Sequence, residues 1–306
     1  MAKKIKDIGV GYHSSKNIQS FVNEDGSSNI LHTNREQSVD DLYSYLIGLS
    51  WSRFFALVFL GYICINSFFA CIYLAIGIEE LTTETQYWYM DFLNAFFFSA
   101  QTITTVGYGS ISPNGIIAGI ISSLEALIGL LSFSFITGLL YGRFSKPKSS
   151  IRFSENMVLR PFEEGRALMF RLVNNRTSIM IEPQVKVTMT LSTKQASGAY
   201  KRSFYELKME RDSITYLPTI WTLVHKIDDK SPLHDFTNEE ITSLNAKIYI
   251  LFQYHEDSFS QKVYKIHAYD FDKLLVDRQF KPTVTFSEDG QMILDHELLN
   301  ATEALT

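Results

Sequence analysis

Thr104-Thr105-Val106-Gly107-Tyr108-Gly109 lies between two long apolar runs, FFALVFLGYICINSFFACIYLAIG at Phe54–Gly77 and GIIAGIISSLEALIGLLSFSFITGLLYG at Gly115–Gly142. Each run exceeds the roughly 20 apolar residues that cross a bilayer core at helical rise. From Phe54 to Gly142 there is no Lys or Arg, and the acids are Glu79, Glu80, Glu84, Asp91 and Glu125. Whole-chain averages hide this, because a mean hydropathy near zero and 20% charged residues come from two unlike halves. The first run is too long for a signal-peptide core and has no small-residue cleavage site behind it, so both runs are read as retained spans.

Between them, Asp91–Thr102 (DFLNAFFFSAQT) is apolar, begins on a good N-cap residue and is far too short to cross. It reads as a re-entrant half-helix, with Tyr87, Trp88 and Tyr89 at the outer interface. The half-helix delivers the chain into the hexapeptide. Aiming successive backbone carbonyls to one side requires dihedrals that glycine adopts without strain, which Gly107 and Gly109 supply. Rings of such carbonyls from four loops replace the hydration shell of potassium. Potassium sites are therefore expected at Thr105, Val106, Gly107 and Tyr108, with the Thr105 hydroxyl added at the inner end and the Val106 and Tyr108 side chains bracing the loop. The negative C-terminal end of the half-helix favours a cation there. One loop and two spans cannot enclose a path, so a homotetramer follows, with the second span lining the pore.

Within that second span Glu125 is the only charge, and a carboxylate in hydrocarbon costs about 2.5–3.5 kcal/mol on insertion scales. Two placements lower this cost: water-filled space just inside the filter, or packing behind the filter with Ser or Thr partners. Steps of four from Glu125 give Gly129, Phe133, Thr137 and Tyr141. This line drifts about 40° per step at 3.6 residues per turn, so it shares one axis only with tilt or bending. Gly129 and Gly138 serve either bending or close packing. Phe133 and Tyr141 are candidate constrictions that close by dewetting, or else lipid-facing or packed aromatics.

Arg53 precedes the first span, Arg143, Lys146 and Lys148 follow the second, and the loop between carries acids only, which places both termini in the cytoplasm. The same cations suit anionic lipid headgroups, or serve only to fix topology. Residues 1–34 mix Gly, Ser, Asn and charge and read as a flexible or extended segment. Ser38–Gly48 begins with Ser and acids and carries Val39, Leu42, Tyr43 and Leu46 at helical spacing. A short amphipathic helix lies there, on the inner membrane surface or against the soluble domain. The three divisions are thus 1–50, a transmembrane pore domain at 51–148, and a C-terminal domain at 149–306. In the last, period-two segments such as Gln184–Leu191 and Ala246–Phe252 alternate with turn signals at Glu182-Pro183, Ser197-Gly198, Leu217-Pro218, Ser231-Pro232, Lys281-Pro282 and Asp289-Gly290, the pattern of an all-β sandwich.

Several function classes find no support. A net charge of −5 argues against a nucleic-acid partner. Cys64 and Cys71 both lie in the first span and are read as packing residues. No Gly-rich phosphate loop, Cys/His metal spacing or His-Glu-x-x-His pattern marks an enzyme, no cofactor is implied, and no Gly-x-Gly-x-x-Gly follows Pro147 to open a nucleotide-binding unit. A transporter would concatenate repeats, and this chain has one.

Further motifs carry a family resemblance: Arg143-Phe144-Ser145-Lys146-Pro147-Lys148, then Leu168–Arg176 (LMFRLVNNR), Trp221–Asp228 (WTLVHKID) with Ser231-Pro232-Leu233, and His267-Ala268-Tyr269. From Asp41 to the last strands the chain resembles the inward-rectifier potassium channels, most closely their prokaryotic branch. The resemblance implies an immunoglobulin-like cytoplasmic domain that assembles as a tetramer, a slide helix near Asp41–Gly48, lipid-sensing roles for Arg53, Arg143, Lys146 and Lys148, and a place in a bacterial inner membrane. It also marks departures. Phe133 stands where strongly rectifying members carry an acid or Asn for magnesium or polyamine blockers, and the Ser192–Tyr200 loop lacks their acids, so weak rectification is expected. Gln101 and Ile111 stand where eukaryotic members carry the acid and Arg that brace the filter by a salt bridge, which leaves the brace open. His225 is either a coupling or pH-sensing residue or a satisfied structural histidine.

Overall fold

The computed structural model describes residues 22–23, 26–34, 39–147, 149–194 and 200–305. Ser38, Lys148 and the 195–199 part of the Ser192–Tyr200 loop, including Ser197-Gly198, lie outside the described residues. The chain divides into two compact units, one formed by 34–146 and the other by 147–306 with the N-terminal 1–33.

The first unit is helical. It contains α1 (Val39–Gly48), α2 (Trp51–Ile76), α3 (Trp88–Ile103) and α4 (Ile116–Phe144). The most apolar stretches of α2 and α4 have mean hydropathies of 2.2 and 2.1, yet only 17% of each is buried within the chain. A soluble core helix of that composition is buried all round, so these surfaces suit lipid or neighbouring helices. Cys64 and Cys71, read as packing residues, are exposed on α2 within the single chain. Phe69, Tyr73, Ala95, Phe98, Ile103 and Ala118 form the core that joins α2, α3 and α4.

The re-entrant helix starts three residues before the expected Asp91. Tyr87 is its N-cap, without a side-chain hydrogen bond. Asp91 lies in the first turn, where its carboxylate suits the positive helix end and accepts from the Thr85 N–H at 2.9 Å.

The second unit is the β domain. Its strands begin with β1 (Ile151–Phe153), β2 (Met157–Phe162), β3 (Gly165–Asn174), β4 (Met180–Lys194) and β5 (Tyr200–Leu207). There follow β6 (Tyr216–Leu217), β7 (Ile220–Lys226), β8 (Ala246–Glu256), β9 (Gln261–Asp270) and β10 (Leu274–Val276). Last come β11 (Arg278–Phe280), β12 (Val284–Phe286), β13 (Met292–Leu294) and β14 (Thr302–Ala304). One five-stranded sheet runs β1-β3-β2-β10 with β7 also on β3, and the other runs β5-β4-β8-β9 with β6 on β4. Leu168, Phe170 and Leu223 from the first sheet meet Val187, Ile250 and Phe252 from the second in one core, which makes the domain a sandwich. Alternate residues of β7 are buried, as period two requires.

Two details depart from the sequence reading. Glu182-Pro183 is not a turn between strands: β4 runs through it, with a register shift on β8 between Ile181 and Gln184. Glu182 takes φ 47 there, and Pro183, which has no N–H for the ladder, sits where the bulge interrupts pairing. The domain also holds a short helix, α5 (Asn238–Ser243), opened by a capping box between Thr237 and Glu240. At the N-terminal side, Val22 bridges Ser28, and Gly26, at φ 87, lies so close to β9 that a Cβ would come within 2.3 Å of the Ile266 carbonyl oxygen. Part of the segment read as flexible or extended is therefore a turn held against the sheet.

Candidate functional site

The last turn of α3 and the hexapeptide form one hydrogen-bonded piece. Thr104 N–H donates to the Ala100 carbonyl at 3.2 Å, Thr105 N–H to Thr102 at 3.0 Å, and Val106 and Gly107 N–H to Gln101 at 2.9 and 3.3 Å. The Thr104 hydroxyl adds a bond to the Ala100 carbonyl at 2.6 Å. Beyond this anchor the backbone alternates in hand: Thr105, Gly107 and Gly109 have φ of 60, 54 and 80. Left-handed dihedrals at every second residue turn consecutive carbonyls toward the same side. Among the described residues of the single chain a Cβ on Gly107 or Gly109 would meet nothing within 4 Å, so within the chain the need for glycine there is conformational. Thr105 carries the same strain without being glycine, a feature that its residue type does not announce. Within the single chain Thr104–Gly109 is exposed, Val106 at 52% and Tyr108 at 78%.

Behind α3 lies a buried polar cluster. Glu125, Tyr73, Ser99 and Asn66 are each 0% exposed. Tyr73 Oη is 2.6 Å from Glu125 Oε2, Ser99 Oγ is hydrogen-bonded to Glu125 Oε1 and lies 3.0 Å from Asn66 Oδ1, and Asn66 Nδ2 donates to the Tyr62 carbonyl at 2.6 Å. Glu125 was expected to line the pore; it does not, because its carboxyl is taken up by side chains of α2 and α3. The alternative, packing with a Ser partner behind α3, is what the fold adopts. Gly129 is likewise not a lining residue. It is buried where α4 crosses the end of α3, and a Cβ there would come within 2.5 Å of the Ile103 carbonyl oxygen.

The 40° drift of the four-residue steps appears as a change of exposure along α4. Glu125 and Gly129 face inward, whereas Phe133, at 71%, Thr137, and Tyr141, at 74%, are exposed. The line therefore splits into supports at one end and open positions at the other.

At the other end of α4, Arg143 does not present its guanidinium freely. Nη1 donates to the carbonyls of Leu46 at 2.8 Å and Ile47 at 3.0 Å, Nη2 donates to Leu49 at 2.8 Å, and the group lies 4.5 and 4.6 Å over the Trp51 and Phe54 rings. A cation thus closes the negative end of α1. Gly142 lets Tyr43 and Ile47 of α1 come this close, with a would-be Cβ at 2.7 and 2.9 Å from them. Arg53 and Lys146 are exposed. In the β domain, His225 is 3% exposed, with Nδ1 2.8 Å from the Lys208 carbonyl and Nε2 2.9 Å from Ser231 Oγ. Burial holds its pKa below the usual histidine value, more than the Lys208 bond and the Asp228 charge restore.

Two spans, a short helix between them and an alternating-hand Thr-Val-Gly-Tyr-Gly segment at its end are the subunit plan of a two-span ion channel. The ion channel family model matches residues 50–146, and the model of the inward rectifier potassium channel C-terminal domain matches 151–306. The chain is 35% identical over 279 residues to the inward rectifier potassium channel Kirbac3.1 of Paramagnetospirillum magnetotacticum, with 90% of this chain and 92% of that protein covered. It is 25% identical to the bovine and 24% to the human G protein-activated inward rectifier potassium channel 1, each over 94% of this chain but only 62% of the relative's length. The chain belongs to the inward rectifier potassium channel family, and it is a membrane channel, not an enzyme.

Proposed function

We propose that this potassium channel selects its ion at Thr104, Thr105, Val106, Gly107, Tyr108 and Gly109, with potassium held by the carbonyls of Thr105–Tyr108 and no other cofactor. The observation that carries this is the alternation of φ at Thr105, Gly107 and Gly109, which supplies a column of carbonyls on one side of the loop. The exposure of the same loop in a single chain fits a site completed by other copies, and four copies around one axis make the homotetramer. The exposed faces of α2 and α4 fit lipid and those neighbours. Phe133, Thr137 and Tyr141 then border the path below the filter, with Phe133 and Tyr141 as hydrophobic constrictions. Phe133 offers no carboxylate to magnesium or polyamines, so rectification is weak.

Both termini and the β domain lie in the cytoplasm, by the charge asymmetry across the spans. Arg53 and Lys146 are exposed and attract anionic lipid, each base contributing about 1 kcal/mol near such a surface. Arg143 acts through its hold on α1. Reconstitution into liposomes tests the whole: barium-sensitive potassium uptake is expected with little sodium uptake, and Gly107→Ala should abolish the flux or the discrimination. Equal sodium and potassium permeability of the unaltered protein would refute it.

A further inference from the structure

Resting on the reading of Thr104–Gly109 as the filter, we propose that Glu125 is a positioning residue for ion selection, held as the neutral acid in a four-residue clamp that fixes the re-entrant helix beneath the filter. The clamp takes the place of the acid and Arg that Gln101 and Ile111 do not provide.

Counting hydrogens assigns the neutral form. Asn66 Nδ2 lies 2.6 Å from the Tyr62 carbonyl, and only an N–H can face a carbonyl at that distance, so the amide orientation is fixed and Oδ1 points to Ser99. Ser99 Oγ is 3.0 Å from that Oδ1, a contact between two oxygens that needs the single serine hydrogen. Ser99 is then an acceptor toward Glu125, and the hydrogen of that contact belongs to Glu125 Oε1. Tyr73 donates to Glu125 Oε2 at 2.6 Å. The chain of donors closes with every side-chain contact satisfied and no net charge. With an ionised Glu125, the one Ser99 hydrogen would have to serve two acceptors, and Asn66 Oδ1 or Glu125 Oε1 would face oxygen unpaired. Among the described residues Tyr73 on α2 is the titratable group that faces Glu125, and α3 presents only the Ser99 hydroxyl to it.

The position of the clamp gives it its effect. Ser99 adjoins Ala100, Gln101 and Thr102, whose carbonyls receive the amides of Thr104 to Gly107. A shift of Ser99 therefore moves the platform from which the filter hangs. Ser99 meets α4 through Glu125 and α2 through Asn66, so both spans hold it.

Glutamine reproduces the neutral acid heavy atom for heavy atom, with Nε2–H donating to Ser99 and Oε1 accepting from Tyr73. Potassium and sodium uptake would be measured for purified wild type, Glu125→Gln, Glu125→Ala and Ser99→Ala in phosphatidylethanolamine–phosphatidylglycerol liposomes. Expected are wild-type selectivity for Glu125→Gln and a fall in the potassium-to-sodium ratio of about tenfold for Glu125→Ala and Ser99→Ala, as befits a lost buried hydrogen bond. Infrared difference spectra, wild type minus Glu125→Gln at neutral pH, should show a protonated-acid carbonyl band. A selective wild type with an equally selective Glu125→Ala or Ser99→Ala overturns the clamp and leaves the filter standing, whereas an unselective wild type removes both. Carboxylate bands in place of the acid band, or Glu125→Gln as unselective as Glu125→Ala, overturn the neutral form. Should Glu125→Ala fail to assemble, Ser99→Ala and the infrared arm decide.

Discussion

Adding one methyl group at Gly129 should loosen the filter without touching it. A Cβ there would lie 2.5 Å from the Ile103 carbonyl oxygen, 2.9 Å from Ile103 Cα and 3.0 Å from its carbonyl carbon. All three are backbone atoms, so no side chain can swing aside. To restore the 3.4 Å at which ordinary contact begins, the helices must part locally by about 0.9 Å, the difference from 2.5 Å. Overpacking of this kind costs about 1–3 kcal/mol, or roughly 5- to 150-fold in the population of the seated arrangement. Because Ile103 directly precedes Thr104, the displacement enters the filter at its base. On the proposed reading of Thr104–Gly109, potassium bound to the seated filter stabilises the folded protein by mass action. The thermal midpoint of purified Gly129→Ala should therefore gain less from potassium than wild type does, and its potassium-to-sodium flux ratio should fall. Gly138→Ala is the control, since among the described residues a Cβ at Gly138 meets nothing within 4 Å beyond its own helix backbone. A Gly129→Ala protein with wild-type selectivity and a wild-type potassium-dependent shift would refute the reasoning.

Three further outcomes are expected. Arg143→Lys keeps the charge and the topology but cannot reach the carbonyls of Leu46, Ile47 and Leu49 together; a loss of about 2 kcal/mol and faster amide exchange along α1 should follow, and unchanged exchange would contradict it. Phe133→Ala and Tyr141→Ala should raise resting potassium flux, and no change in either variant removes them as constrictions. His225 has its folded pKa depressed by burial, so below about pH 6.5 the unfolded state binds the extra proton first. Its contribution is complete above that pH and is lost as pH falls; an acid-induced drop in β-domain stability that His225→Gln leaves unaltered would show that another group is responsible.

The spans, the re-entrant helix and the sandwich are legible in the sequence because each rests on local signals: run length, period two and the two glycines of the hexapeptide. Contacts between distant residues are not. Glu125 reads first as pore-lining and only second as packed, since its partners Tyr73 and Ser99 stand 52 and 26 residues away and nothing in helical period says which face of α4 meets them. Gly129 and Gly138 are the same residue on one helix, and only their neighbours separate a close approach from an open position. Arg143 obeys the positive-inside pattern whether or not α1 ends beside it. Glu182-Pro183 has turn chemistry, yet the pairing of β4 with β8 on both sides carries the strand through as a bulge. The capping box at Thr237–Glu240, in contrast, was readable: Thr-Asn-Glu-Glu holds both reciprocal partners at the required spacing.

These contacts give α4 two different ends. Toward the filter, Glu125 and Gly129 lock it to α3 by hydrogen bonds and by backbone contact. Toward the interface, Gly142 and Arg143 lock it to α1. The segment between them carries Phe133 and Thr137 exposed, and Gly138 with nothing among the described residues, outside its own helix, near its Cβ position. A helix fixed at both ends and free in the middle responds to a pull on α1 by bending where it is least held, and glycine has the weakest helix preference of any residue but proline. Movement of α1 would then displace Tyr141 while leaving Glu125 and the base of the filter in place. On this geometry the constrictions proposed at Phe133 and Tyr141 would open and close without disturbing selectivity, so Arg143→Lys should change the flux and keep the potassium-to-sodium ratio, whereas Gly129→Ala should change the ratio. If Arg143→Lys lowers the ratio as much as Gly129→Ala does, α4 transmits the motion along its whole length and the two ends are not independent.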